Sequence, residues 1–305
     1  MAFAQGSRSS LSYATQSNFT TPATSGFVNL PFSTHSLNMT KDAVVGSDIQ
    51  ADRMPRVQRH GNKSIAGDIV VDLRDEEYDD WLESAMLSTW TVGNTLSIGT
   101  TPKYFTVQDY AADIAQARFF RGCAVNSLGV SIAPNQMVTT TFGVVGRDME
   151  VTATQIAPDA DTNSTTTPFD SYNGNVTIGD TDNTPATAAI VTSFDFTLTN
   201  GFAPTYVVGD NLAPSLEVGR AELEGTMSVY FEDASIINRF VDEEETELTV
   251  SVGDGTKDMT FFFPRVKINS ADVGVDGPTS RIISCSFTAL YNTTDTTSFQ
   301  ITRAA

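Results

Sequence analysis

The sequence predicts a mainly β protein, a duplicated β-sandwich or small-barrel domain in which each copy carries one flanking α-helix. Three observations predict it: short runs rich in Val, Ile, Phe and Thr broken by Gly, Asn, Asp and Pro, only two helix-like segments, and an internal repeat. The chain has 305 residues, enough for about two domains and for a core that needs no disulfide or metal.

Residues 1–26 hold few large apolar groups and read as a flexible N-terminal arm. From Phe27 the strand-like text begins, and 27–151 forms the first copy. Its central feature is GNKSIAGDIVVDLRDEEYDDWL from Gly61, which aligns with GRAELEGTMSVYFEDASIINRF from Gly219. Gly61/Gly219, Gly67/Gly225, Val71/Val229 and Asp75/Asp233 are identical, while Ile65/Leu223, Ile69/Met227 and Leu73/Phe231 stay apolar. Ile65, Ile69, Val71 and Leu73 alternate with Asp68 and Asp72, the period of a half-buried strand. Asp75 and Asp233 stand where a helix N-cap belongs. Tyr78, Trp81, Leu82, Ala85 and Met86 then form a helical stripe, and Ile236, Ile237, Phe240 and Val241 a shorter one, so both helices are expected to pack on their sheets.

Weaker echoes extend the repeat. Val44-Val45-Gly46 matches Val207-Val208-Gly209, and Val125-Asn126-Ser127 matches Ile268-Asn269-Ser270. Between the copies, 152–190 is rich in Thr, Asn, Asp, Gly and Pro and reads as a linker or surface loop; 191–305 is the second copy.

Charge excludes more than motifs reveal. With 18 Lys and Arg against 37 Asp and Glu, the net charge of −19 argues against stable nucleic-acid binding, which works by neutralising phosphates. No apolar run is long enough for a membrane helix, and the first residues lack the pattern of a signal peptide. His35 and His60 lie near no nucleophile turn, and Cys123 and Cys285 form no CxxC pair, so neither catalysis nor zinc is expected. No cofactor is implied. Asp159, Asp161, Asn163 and Asp170 have the spacing of a calcium loop, but Ser164 replaces its glycine, and an acidic turn is the better reading.

The two copies differ in charge. Arg53, Arg56, Arg59, His60 and Lys63 make a basic segment before the first repeat strand, where the second copy has Glu217, Glu222 and Glu224 with only Arg220. Acids cluster in the first helix (Asp75 to Glu83) and just after the second, at Asp242, Glu243, Glu244, Glu245 and Glu247.

The segments GSDIQADRMPRVQRHGNKSIAGDIVVDLR, LEVGRAELEGTMSVYFED, MTFFFPRVKI and SFTALYNTTDTTSFQITR resemble the tail tube (major tail) proteins of long-tailed bacteriophages with non-contractile tails. The resemblance covers roughly 27–110 and 194–303; 150–190 departs from it. It implies a structural virion protein, assembled in the host cytoplasm, whose rings stack into a hollow tube for genome ejection. Its partners would be itself, the tape measure, terminator and tip proteins, and DNA only as transient cargo, with no membrane insertion.

A chain with two tube domains should form a trimeric ring with pseudo-sixfold symmetry, each first copy beside a second. Arg53, Arg56, Arg59 and Lys63 are then expected at subunit interfaces, with Glu217, Glu222 and Glu224 at the equivalent places. Asp68, Asp72, Glu222, Glu224 and Thr226 are expected to line the lumen. The N-terminal arm and a loop at 152–190 or 88–117 would reach neighbouring subunits. The alternatives are a decoration or fibre module that binds carbohydrate or a receptor, and, third, a glycan hydrolase.

Overall fold

A computed structural model describes residues 3–49, 51, 52, 54–156, 165–180, 187, 188, 190–275 and 277–304. Arg53 and the calcium-like positions Asp159, Asp161 and Asn163 lie outside them. After a short 3-10 turn at Gly6–Arg8, the first half runs β1 (Ser9–Gln16), β2 (Val28–Asn29), β3 (Thr34–His35), β4 (Asn38–Val45), β5 (Gln58–Asp72) and α1 (Asp79–Met86). It continues through β6 (Thr95–Ser97), β7 (Tyr104–Ala111), β8 (Gln116–Ile132), β9 (Thr139–Gly146) and β10 (Asp148–Thr152). The second half has β11 (Asp170–Asp180), β12 (Thr187–Ala188), β13 (Val191–Thr199), β14 (Ala203–Thr205), β15 (Ser215–Glu217), β16 (Glu222–Tyr230) and α2 (Ser235–Val241). It closes with β17 (Glu245–Gly253), β18 (Asp258–Val273), β19 (Ile282–Ala289) and β20 (Gln300–Arg303).

The protein is mainly β, with antiparallel sheets and two α-helices among the described residues. Its two halves repeat one pairing scheme. In the first, β3 and β4 pair with β5, β5 with β9, β9 with β8, β8 with β7 and β7 with β1. In the second, β13 pairs with β16, β16 with β19, β19 with β18, β18 with β17 and β17 with β11. Even the irregularities coincide: the β8–β9 ladder shifts between Val125 and Ser127, and the β18–β19 ladder between Ile268 and Ser270. Asn126 and Asn269 are thus the extra residues of one bulge used twice.

Register is set by burial. Ile65, Ile69 and Val71 of β5, and Leu223, Met227 and Val229 of β16, turn into a core that spans both halves. Trp81 stacks on Phe105 at 4.9 Å, and Phe196, Phe261, Phe263 and Phe299 form an aromatic cluster in the second half. Trp81, Phe105, Phe196, Phe261 and Phe263 are among the largest fully buried side chains and anchor the layers.

Several expectations need correction. Residues 9–16 are not a flexible arm: β1 pairs along its whole length with β7, and Leu11, Tyr13 and Ala14 are buried. Small and polar residues alternate there with just enough apolar ones to cover a sheet edge. The linker reading of 152–190 misses β11, whose Val176 and Ile178 pair with Val250 and Leu248. The 88–117 stretch is no projecting loop, because it contains β7 with Phe105 and Val107 fully buried.

Helix α1 begins after Tyr78, four residues beyond Asp75, which therefore does not cap it; burial pushes the Asp75 carboxyl above its usual range. Asp233 does accept the Ser235 backbone N–H at 2.8 Å ahead of α2, and hydrogen bonding from the Ser235 side chain and backbone holds its carboxyl below the usual range. The α1 stripe is buried as expected. In α2, Ile236 and Ile237 reach the core, but Phe240 and Val241 are exposed. The Val-Val-Gly echo also fails as an alignment. Val44 lies opposite Arg59 and Ala203 opposite Glu217, so the ladders match Val44 with Ala203, not Val207.

Candidate assembly surfaces

The halves are joined strand to strand. Residues Phe194–Thr199 of β13 pair with Ile132–Ser127 of β8 while their other edge pairs with β16. The result is one continuous antiparallel sheet, ordered β3/β4, β5, β9, β8, β13, β16, β19, β18, with four strand positions from each half. Both ends of this sheet are unpaired among the described residues. At one end β3 and β4 pair only with β5; at the other, β18 beyond Lys267 pairs only with β19.

One face of the sheet is core. The other is small, polar and acidic: Asp68 and Asp72 on β5, Thr139 and Thr141 on β9, Ser127 and Ser131 on β8, then Asp195, Thr197, Glu222, Glu224, Thr226, Ser284, Ser286 and Asp272. Neither Lys nor Arg occurs in 64–72, 127–131, 139–143, 193–199, 222–228, 270–272 or 284–288. All five residues expected at the lumen share this exposed face, because strand alternation sends them opposite to the buried Ile69 and Met227. Glu222 and Glu224 lie there too, away from the hairpin that carries Glu217, so they do not mirror the basic segment as the sequence reading had it.

The junction has a second component. The hairpin of β14 and β15 folds back over the first half, where Phe202, Ala213 and Leu216 are buried against Phe19, Leu87 and Ala124, flanked by Tyr104 and Val145. Hydrogen bonds fix it: Asn126 Oδ1 accepts the Phe202 N–H at 2.7 Å, Ala213 O accepts from Arg147 Nε at 2.8 Å, and the Tyr206 hydroxyl donates to Lys63 O at 2.9 Å. Buried Asn200 donates through Nδ2 to Ala85 O and Val125 O, at 2.8 and 3.1 Å. Asn200 belongs to no motif, and Asn126 shows in the sequence only as part of the Val-Asn-Ser echo; the role of each depends on where the second half lands.

The matching hairpin of the first half, β4 with the start of β5, is held at its base, where Lys63 bonds to Asn211, Tyr206 and Asp148, but its outer part is uncovered among the described residues. Val44, Val45, Ile49, Met54 and Val57 are all exposed, as are Arg56, Arg59 and His60. Among the described residues Arg56 pairs with Asp52, four residues away, and Lys63 at the hairpin base pairs with Asp148 at 3.3 Å. Lys63 is therefore held within the chain. Asp242, Glu243 and Glu244 after α2 are also exposed and Glu245 is half-buried, with Glu243 bonded to Lys267 and Glu245 to Arg265; the Arg265 hydrogen bond holds the Glu245 carboxyl below its usual range.

Cys123 and Cys285 are buried and unpaired, and burial pushes the Cys285 thiol up to about 11. His35 lies 3.7 Å from Asp109. Among the described residues no group of three or more His, Cys, Asp and Glu could hold a metal, and no helix is long and apolar enough to cross a membrane.

The model of the phage tail tube protein family matches residues 6–289. No curated protein matches the chain.

Proposed function

The chain belongs to the phage tail tube protein family, and from that premise we propose that three copies close into a ring, that rings stack into a hollow tube, and that the genome passes through its lumen. A structural tail tube role, self-assembly and association with other tail proteins follow from the family, as does a place in the virion. The finer reading comprises the trimer, a non-contractile tail assembled in the host cytoplasm, tape measure, terminator and tip proteins as partners, and no catalytic activity.

One observation carries it: the strand junction inside the chain has an unused counterpart at each end of the same sheet. β13 adds to the edge of β8 at 127–132. Through the repeated ladders that edge corresponds to 270–275, where the side of β18 away from β19 has no partner among the described residues, and 193–199 corresponds to 34–40, the opposite free edge. Adding 34–40 of one chain to β18 of the next repeats the internal junction, a head-to-tail contact that closes into a ring.

Eight strand positions per chain give a closed barrel of 24 in a trimer. At roughly 4.8 Å per strand its circumference is about 115 Å before tilt widens it, and side chains cannot fill such a lumen. The face without Lys or Arg would line it. That wall repels phosphate over about 8 Å in physiological salt and offers DNA no cation to hold.

Electron microscopy of the purified chain tests the reading. Long hollow filaments whose end views show three chains in six similar lobes are expected. A protein that stays monomeric, or forms compact trimers without a lumen, favours the decoration or fibre reading and overturns this one.

A further inference from the structure

We propose that the exposed hairpin at 41–63 docks on the acidic shelf that follows α2, Asp242 to Glu245, of the next chain in the ring. The ring would then alternate an apolar junction inside each chain with an ionic junction between chains. The inference rests on the ring reading above and deepens it.

The internal junction supplies the template. Its hairpin, with Ala203 opposite Glu217 and Pro204 opposite Leu216, matches the free hairpin, with Val44 opposite Arg59 and Val45 opposite Gln58. The surface it covers has a counterpart as well. Ala124 opposite Val145 on β8 and β9 corresponds to Lys267 opposite Thr288 on β18 and β19. Tyr104, one residue before the β7–β8 ladder starts at Phe105, corresponds to Glu245, which lies opposite Lys267. Leu87, just past α1, corresponds to the run just past α2, Asp242, Glu243 and Glu244.

The chemistry changes on both partners together. Where the docked hairpin has buried Phe202 and Leu216, the free one has Ala43 and Gln58, bracketed by Arg56 and Arg59. Where the covered surface is Leu87, Tyr104, Ala124 and Val145, its counterpart is a run of four carboxylates partly offset by Arg265 and Lys267. From Lys41 to Lys63 the sequence has five cations against three acids, a local +2 in a chain of net charge −19. A basic hairpin therefore meets an acidic shelf at one junction and an apolar hairpin meets an apolar shelf at the other; exchanging them would bury unpaired charge against Leu87 and Tyr104.

Charge exchange tests this. Arg56→Glu with Arg59→Glu should raise the protein concentration needed for assembly about tenfold or more, a reach typical of close charge pairs across an interface. Adding Glu243→Arg and Glu244→Arg to the same chain should restore it. A second measurement avoids any dependence on the folding of these variants. Chains with Arg59→Cys and chains with Glu244→Cys, mixed under mild oxidation, should give disulfide-linked dimers that neither gives alone. Assembly that ignores the reversal, loss that the exchange fails to rescue, or absence of mixed dimers overturns the docking while wild-type rings leave the functional reading standing. Wild-type protein that forms no rings overturns both.

Discussion

At the scale of single residues, the repeat is kept where backbone meets backbone. A Cβ on Gly67 would lie 2.6 Å from Ser36 O, and one on Gly225 would lie 2.6 Å from Asp195 O and 2.4 Å from the Phe287 ring. The two sites are the same contact, since Ser36 and Asp195 occupy equivalent places on the preceding strand. Gly67→Ala and Gly225→Ala should each destabilise the protein by about 1–3 kcal/mol, the usual cost of overpacking, as measured by urea unfolding. That glycine was legible as an identity in the sequence. Its reason was not, because the strand that crowds it lies about 30 residues away and had no motif. The same holds for Asn126 and Asn269: the Val-Asn-Ser and Ile-Asn-Ser echo is visible, but a bulge shows only once the ladder is drawn.

Among elements, alternation and the helical stripe of α1 were readable because burial imposes a period on them. β1 and β11 escaped, since each is a polar stretch with one long partner and, on its other side, only a two-residue strand. α2 has a stripe yet leaves Phe240 and Val241 exposed, which places apolar surface beside the acidic shelf. The element that binds the two halves is the short connection after β13. Asn200→Ala removes two buried hydrogen bonds and strands the carbonyls of Ala85 and Val125, so a loss of about 2 kcal/mol is expected in chemical denaturation. Hydrogen exchange at 200–217 should rise with it, because this residue pins the hairpin to α1 and β8.

For the whole molecule, the net charge first read as an argument against nucleic-acid binding takes on a location. Six carboxylates, Asp68, Asp72, Asp195, Glu222, Glu224 and Asp272, sit on a stretch of sheet face that carries no Lys or Arg, whereas the basic residues gather at the hairpin and at ion pairs such as Lys63 with Asp148 and, at the margin of the sheet, Lys267 with Glu243. The polar alternation of the two repeat strands was visible from the start; that β9, β8, β13, β18 and β19 extend it into one wall required the fold. Thr226→Lys with Ser286→Lys, paired across β16 and β19, should leave tube assembly intact and slow genome release from virions, measured by DNA-dye fluorescence. Release at the wild-type rate would show that this face does not meet the DNA.

The strand junction between β8 and β13 also bears on how readily a ring can close. Six separate single-domain subunits would have to meet in five encounters before a ring could close, each surrendering translational and rotational freedom worth roughly 4–15 kcal/mol at standard concentration. Here every second joint is already made when the chain folds, held by the backbone itself at an effective concentration no free subunit reaches. In the proposed ring of three only two encounters and a closing contact remain, and these can be weak enough to reverse, so a chain that arrives out of register can leave before the tube grows over it.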